Sequence, residues 1–246
     1  MIGPVGDDFV KRYRLEYNFE ALERVRAAVG EKAYSRLRAL LEYRLYGKEF
    51  DRSPIDVKVV LAFSGGSDST ASLKILRWAG FDVVPVMAKL PQIREPVILN
   101  AMKQDAVFVG IPGYTEVIKA QIAKGAPICG RCHAMVMDAV EDYARKNGIK
   151  TVASGDLLSS GLISIYERGD LVMLNLPAFL AVDKGEAVSV LGRKYALGFG
   201  CPLWKSAAKR TPSIKKYGIQ RVLRELRARA ITPAMAEKLI LDVLSG

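Results

Sequence analysis

Apolar positions along this chain follow two rhythms. Between residues 9 and 47 they recur every three or four, at Phe19, Leu22, Val25, Ala28 and Val29 and again at Leu37, Leu40, Leu41, Tyr43 and Leu45. That spacing predicts helices, divided at Gly30, and no strand signal interrupts them. Asp51-Arg52-Ser53-Pro54 reads as a linker, so residues 1–52 are expected to form an N-terminal helical appendage. From residue 56 the rhythm changes. Val57–Phe63 is a continuous, β-branched run that predicts a buried strand, and helical spacing takes over across Asp68–Ala79, with Gly80 as its C-cap. Further strands are predicted at Phe81–Met87, Ala106–Val109, Ile149–Ala153 and Leu171–Leu176. Helices are predicted at Pro96–Lys103, Tyr114–Lys124 and Cys132–Asn147, and from a capping-box spacing at Asp183 and Glu186 through Leu197. After Pro202 the chain reads as helical, with a last helix opening at Thr232-Pro233. Strands alternating with helices predict an α/β fold with a doubly wound, mainly parallel sheet over residues 53–204, and a helical addition at each end. Ligands of such sheets bind at the carboxyl ends of strands, where Ser64–Ser69 and Ser154–Asp156 fall.

Composition narrows the function classes. Half of the 246 residues are apolar, yet no apolar run approaches the roughly 20 residues of a membrane span. The first nine residues are too acidic and too broken by Gly and Pro for a signal peptide, so a cytoplasmic protein is expected. Three cysteines, an odd number, argue for a metal or redox site and against a disulfide framework. The net charge of +11 is concentrated at one end: residues 193–246 hold 12 Lys/Arg and 3 Asp/Glu, a balance of +9. A basic segment of that kind, residues 205–246, suggests a polyanionic partner such as RNA. Tyr43, Leu45 and Tyr46 are expected either to cover the sheet or to form a homodimer surface.

The most informative stretch is Ser64-Gly65-Gly66-Ser67-Asp68-Ser69-Thr70, lying between the first strand and its helix. The glycines let backbone approach a phosphate, and the free N–H groups of the first helical turn point at it. Asp68 is tolerable beside phosphate if a divalent metal stands between them. No Lys follows Gly66 as a Walker loop requires, and the third glycine of a dinucleotide fingerprint is missing. The stretch resembles the Ser-Gly-Gly-x-Asp-Ser signature of the PP-loop (N-type ATP pyrophosphatase) superfamily, of the adenine nucleotide α-hydrolase-like fold. That resemblance implies that Ser64, Gly65, Gly66, Ser67, Asp68 and Ser69 hold the pyrophosphate part of ATP, with Mg²⁺ offsetting its charge, while ATP is split into AMP and pyrophosphate to adenylate a substrate. Met87 and Ala88 are expected to border the adenine, and Gly155 to approach the α-phosphate.

Ile128-Cys129-Gly130-Arg131-Cys132-His133 is expected between two helices, and Cys201 precedes Pro202. The residues alone leave four readings: a three-cysteine [4Fe–4S] cluster, a zinc site with His133, a haem attachment pattern, or a thiol pair carrying a persulfide. The order and setting of Cys129, Cys132 and Cys201 resemble those of the iron–sulfur-dependent tRNA 2-thiolation enzymes of the superfamily, in which the three ligands leave one iron open. Those enzymes usually carry Gly-His-x-x-Asp-Asp after the fourth strand, whereas this chain reads Gly155-Asp156-Leu157-Leu158-Ser159-Ser160. Asp156 thus stands at the histidine position, where it could bind magnesium. Asp68, Asp156 and the three cysteines are the catalytic candidates; His133 is expected to serve only in support. The resemblance therefore implies an adenylating sulfurtransferase fed by a sulfur donor, acting on a tRNA base gripped by Lys205, Lys209, Arg210, Lys215, Lys216, Arg221 and Arg224. The alternatives are sulfur transfer or amide formation on a small molecule, and a non-catalytic ATP- or RNA-binding regulator.

Overall fold

The computed structural model describes residues 1–157, 164–192 and 195–245. Helices α1 (Phe9–Arg24), α2 (Arg26–Val29) and α3 (Glu31–Tyr46) come first. They are followed by β1 (Lys58–Ala62), α4 (Ser67–Trp78), β2 (Asp82–Ala88), α5 (Glu95–Met102), β3 (Val107–Val109), α6 (Tyr114–Ala123), α7 (Ile128–Lys146) and β4 (Thr151–Ser154). A hairpin of β5 (Ile165–Arg168) and β6 (Leu171–Asn175) leads into α8 (Leu176–Phe179), α9 (Lys184–Leu191), α10 (Pro202–Arg210), a 3₁₀ turn, α11 (Lys215–Arg227) and α12 (Pro233–Ser245). The sheet order is β3-β2-β1-β4-β6-β5, with every neighbouring pair parallel except the β5–β6 hairpin at the edge. The doubly wound, mainly parallel α/β fold is as expected. The winding reverses between β1 and β4, and a crevice opens there at their carboxyl ends.

Period-two alternation divides the sheet's side chains between two cores. Val59 and Leu61 of β1, Ala153 of β4 and Val172 and Leu174 of β6 point into one, which they share with Leu15, Leu22, Leu37 and Leu40 of the N-terminal helices and Leu73 and Leu76 of α4. Val60, Val152, Leu171 and Met173 point into the other, against Met137, Val140 and Ala144 of α7. A third cluster joins α10, α11 and α12 to Ile128 at the start of α7. Leu45 lies inside the first core, whereas Tyr46 is exposed.

One polar tie crosses that first core. Arg44 of α3 has no solvent exposure; it donates to the carbonyls of Leu180 (3.0 Å) and Gly3 and to both oxygens of Glu186 (3.0 and 3.2 Å). Lys11 of α1 reaches Asp183 (2.6 Å) and Glu186 (2.9 Å). Asp183 and Glu186 are also the capping box of α9, each side chain accepting the other's backbone N–H. The N-terminal helices therefore hold the start of α9.

Three local readings are corrected. Strand β5 pairs with β6 across the two-residue Gly169-Asp170 turn, a hairpin the apolar pattern alone did not suggest. Helix α9 stops at Gly192, a left-handed C-cap, instead of running to Leu197. Helix α7 begins at Ile128 behind Pro127 instead of at Cys132, so Cys129 as well as Cys132 lies in its first turns. No helix among the described residues is long and apolar enough to cross a membrane.

Candidate functional site

The loop between β1 and α4 is tied into a cradle by its own hydroxyls. Ser64 N–H donates to Ser69 Oγ (3.2 Å), the two hydroxyls lie 3.1 Å apart, and Gly66 N–H donates to Ser64 Oγ (3.3 Å). Gly65 sits at φ +70°, and a Cβ there would lie 2.7 Å from Val97 Cγ1, so this position needs glycine for conformation and for space. The first bond of α4 runs from Thr70 N–H to Gly66 C=O. The N–H groups of Ser67, Asp68 and Ser69 are left facing out of the helix N-terminus, an anion site by construction.

Missing from the sequence reading is Lys184. Its ammonium, at the first position of α9, lies 2.7 Å from Ser67 Oγ and 2.8 and 2.9 Å from the two carboxylate oxygens of Asp68. A lysine does reach this loop, supplied from a distant element and not from the loop's own helix. It balances the carboxylate that would otherwise repel a phosphate.

The other wall comes from β4. A Cβ on Gly155 would lie 2.6 Å from Ser69 N and 2.8 Å from the Asp68 carbonyl carbon, so only glycine lets the chain after β4 close on the first turn of α4. Here Gly155 meets the loop backbone itself. Asp156 Oδ2 lies 3.0 Å from Ser154 Oγ and 3.3 Å from His133 Nε2. Burial pushes the Asp156 carboxyl up, but His133, the Ser154 hydroxyl and the Arg221 guanidinium outweigh it and hold it below the ordinary range. The same hydrogen bond raises His133. The expected histidine position is thus filled by an aspartate, and α7 brings a histidine to it from elsewhere. Ser159 and Ser160 lie outside the described residues.

These groups enclose a cleft of about 230 Å³. Ser64, Gly66, Asp68, Ser69, Met87, Ala88, Gly155 and Asp156 line it, together with His133 and Arg221, with Leu90, Ile93 and Val136 as apolar wall. Gly65 and Ser67 are not among the lining residues; Ser67 Oγ is held by Lys184 instead. Arg221, read from the sequence as part of a basic grip, instead faces this cleft while pairing with Glu225 at 2.9 Å. Lys205 pairs with Asp242, and Lys215 donates to the Leu244 carbonyl.

None of the three cysteines lines this cleft; Cys129 lines a neighbouring cavity that shares Arg221 with it, and Cys132 precedes His133 in α7. Gln92 donates to the Tyr114 oxygen (2.6 Å), leaving the phenolic hydrogen for Cys132 Sγ at 3.1 Å. Burial pushes the Cys129 thiol up to about 11, with Arg221 pulling against it. Burial also raises Cys132, against the pull of Tyr114, and Cys201 lies within electrostatic reach of both. Among the described residues no three His, Cys, Asp or Glu side chains are drawn together as a metal-binding set. The three cysteines meet a cluster's requirement for donor type and neighbourhood, but they do not converge as ligands.

No family model matches the chain. The uncharacterized protein MJ1638 of Methanocaldococcus jannaschii is 34% identical over 248 residues, covering 96% of this chain and 94% of its own length. The tRNA-cytidine(32) 2-sulfurtransferase of Marinobacter nauticus is 24% identical over 204 residues, 77% of this chain and 62% of that protein. The argininosuccinate synthase of Shouchella clausii is 32% identical over 113 residues, 45% of this chain and 26% of that protein. The last two are both PP-loop superfamily members, distant from this chain.

Proposed function

The chain belongs to one family with the Methanocaldococcus jannaschii protein and, distantly, to the PP-loop superfamily, and on that premise we propose that it is an adenylating sulfurtransferase acting on a tRNA base. ATP is cleaved to AMP and pyrophosphate, the AMP is carried to a carbonyl oxygen of the acceptor, and sulfur displaces it. The observation that carries this reading is that thiols neighbour a phosphate cradle: Cys132 is next in sequence to His133, which lines the cleft, and Cys129 lines an adjoining cavity with Arg221, which lines the cleft too.

In this reading the N–H groups of Ser67, Asp68 and Ser69 and the Ser64 and Ser69 hydroxyls receive the pyrophosphate part of ATP. Lys184 offsets its charge. Asp68 and Asp156 are the carboxylates available to Mg²⁺, which typically takes one or two of them together with phosphate oxygens. Met87 and Ala88 flank the base of the nucleotide, and Leu90 and Ile93 keep that end dry. The His133 Nε2 lies against Asp156 Oδ2, and this contact favours the protonated imidazole. Tyr114 steadies the Cys132 sulfur. Cys129, Cys132 and Cys201 have the donor chemistry of a [4Fe–4S] cluster, which would supply sulfide, but among the described residues they are not drawn together as a ligand set. Lys209, Arg210, Lys216 and Arg224 are the basic side chains of the expected grip left to face RNA.

The test is a stoichiometric assay of ATP, AMP and pyrophosphate with tRNA added. One pyrophosphate per AMP, dependent on tRNA, is expected. ADP as product, or no turnover with any tRNA or small acceptor, refutes the reading. Filter binding that is insensitive to salt turns the acceptor from tRNA to a small molecule. Protein purified without oxygen that holds no iron refutes the cluster and leaves a cysteine persulfide as carrier.

A further inference from the structure

A second cavity of about 560 Å³ adjoins the nucleotide cleft, and Arg221 lines both. Its inner wall is aromatic. Phe199 and Trp204 meet edge to face with ring centroids 4.8 Å apart, and Tyr217 stands beside them. Gly218 of α11 is what lets that pair come in: a Cβ there would lie 3.0 Å from Trp204 Cζ2 and 3.1 Å from Phe199 Cε1. Trp204 and Phe199 are buried, so the wall is fixed by the packing of α10 and α11 and does not depend on exposed side chains. Cys129 lines the cavity from α7. Its rim is the outer face of α11, where Leu223 and Arg224 are exposed, and Arg224 has no acidic partner among the ion pairs of the described residues.

Each part selects a feature of the occupant. A partly exposed aromatic ring, Tyr217, beside a floor of the buried Phe199 and Trp204 favours a flat ring. Two guanidinium groups one helical step apart, in a segment with a balance of +9, favour phosphate. The volume is that of a small-ligand site and has room for a ring with its sugar and phosphate. The thiol of Cys129 and the shared Arg221 place any occupant between the proposed sulfur donor and the ATP cleft. We propose that this cavity is the acceptor pocket, and that it takes a nucleobase together with its own phosphate, the base against Phe199, Trp204 and Tyr217 and the phosphate on Arg224. The proposal rests on the adenylation reading and adds to it where the acceptor binds and what it is.

Trp204 is one of two tryptophans, and the other, Trp78, is packed against Tyr43 and Phe50 in the N-terminal part of the fold. In a Trp78→Phe protein, emission therefore reports Trp204 alone. With a non-hydrolysable ATP analogue saturating the first cleft, pyrimidine and purine nucleoside monophosphates and a short single-stranded RNA are titrated in turn. A saturable change in Trp204 emission is expected, weakened about tenfold or more by Arg224→Glu, the worth of roughly one charge-assisted contact. A circular-dichroism melt reports that each variant is folded. A response to monophosphates assigns a free nucleotide as acceptor, and a response to RNA alone assigns a base within a strand; both support the pocket. If the ATP analogue binds but none of these probes alters Trp204, or if the response is indifferent to Arg224→Glu, the pocket assignment is overturned and the adenylation reading stands. If the analogue itself does not bind, both fall.

Discussion

Replacing Glu186 by Gln should destabilise the protein well beyond what a partly exposed carboxylate would suggest. The change keeps the side chain's shape and leaves an oxygen to accept the Asp183 N–H of the capping box. What it removes is the counter-charge of Arg44, whose side chain has no exposure while Glu186 keeps 28%. A guanidinium does not release its proton, so it remains buried with only carbonyl partners. Stripping one partner from a buried pair costs about 3–5 kcal/mol, and the exposure of Glu186 points to the lower part of that range. Lys11 adds little, since it keeps Asp183. Urea unfolding should show a lower midpoint at unchanged slope. The double variant Arg44→Met with Glu186→Leu removes both charges and should recover all but about 1–2 kcal/mol, the remainder being the cap. A loss below about 1 kcal/mol for Glu186→Gln, or a double variant no more stable than the single one, would refute the claim that this is a buried charge pair.

Lys184→Met should weaken binding of a non-hydrolysable ATP analogue roughly tenfold to a hundredfold, the value of one charge-assisted contact; calorimetry showing unchanged affinity would exclude Lys184 from the phosphate site. Gly155→Ala should cost about 1–3 kcal/mol and open the crevice, because its methyl must displace the Ser69 backbone; a melting temperature and ATP affinity equal to the parent's would show that β4 and the loop do not abut. Acid stability should depend on Asp183. Burial pushes its carboxyl up, but Lys11 and the Glu186 N–H outweigh this and hold it below 3.8. A depressed folded value contributes stability above the unfolded value and loses it as pH falls through the folded one. Melting temperature should therefore drop more steeply below about pH 4 in the parent than in Asp183→Asn; parallel curves would count against the pairing.

The parts of the site legible in the sequence are those that depend on neighbours along the chain. Ser64–Ser69 forms a strand, a turn and a helix start within a dozen residues, and its local pattern suffices to identify it. The Asp183–Glu186 box is equally local. Lys184 was invisible because its partner Asp68 is 116 positions away, and a lysine in a helix's first turn looks like solvated surface. His133 escaped for the same reason: nothing in its own stretch reveals that α7 lays it against Asp156. Cys129 was misplaced because a spacing of three suits a turn and a helix equally. The β5–β6 hairpin was available in principle, since Gly169-Asp170 between two apolar runs is a turn signal.

The tie between α1, α3 and α9 also orders events in time. The phosphate loop is made early, but the ammonium that holds its aspartate is synthesised only with residue 184, on a helix start clamped by Lys11 from 172 positions away and Arg44 from 142. Contacts of such separation cost loop-closure entropy before they can form. A nascent chain thus carries the Ser64–Ser69 loop more than a hundred residues before it carries the lysine that pairs with Asp68, and that pairing depends on a helix start held by residues from α1 and α3.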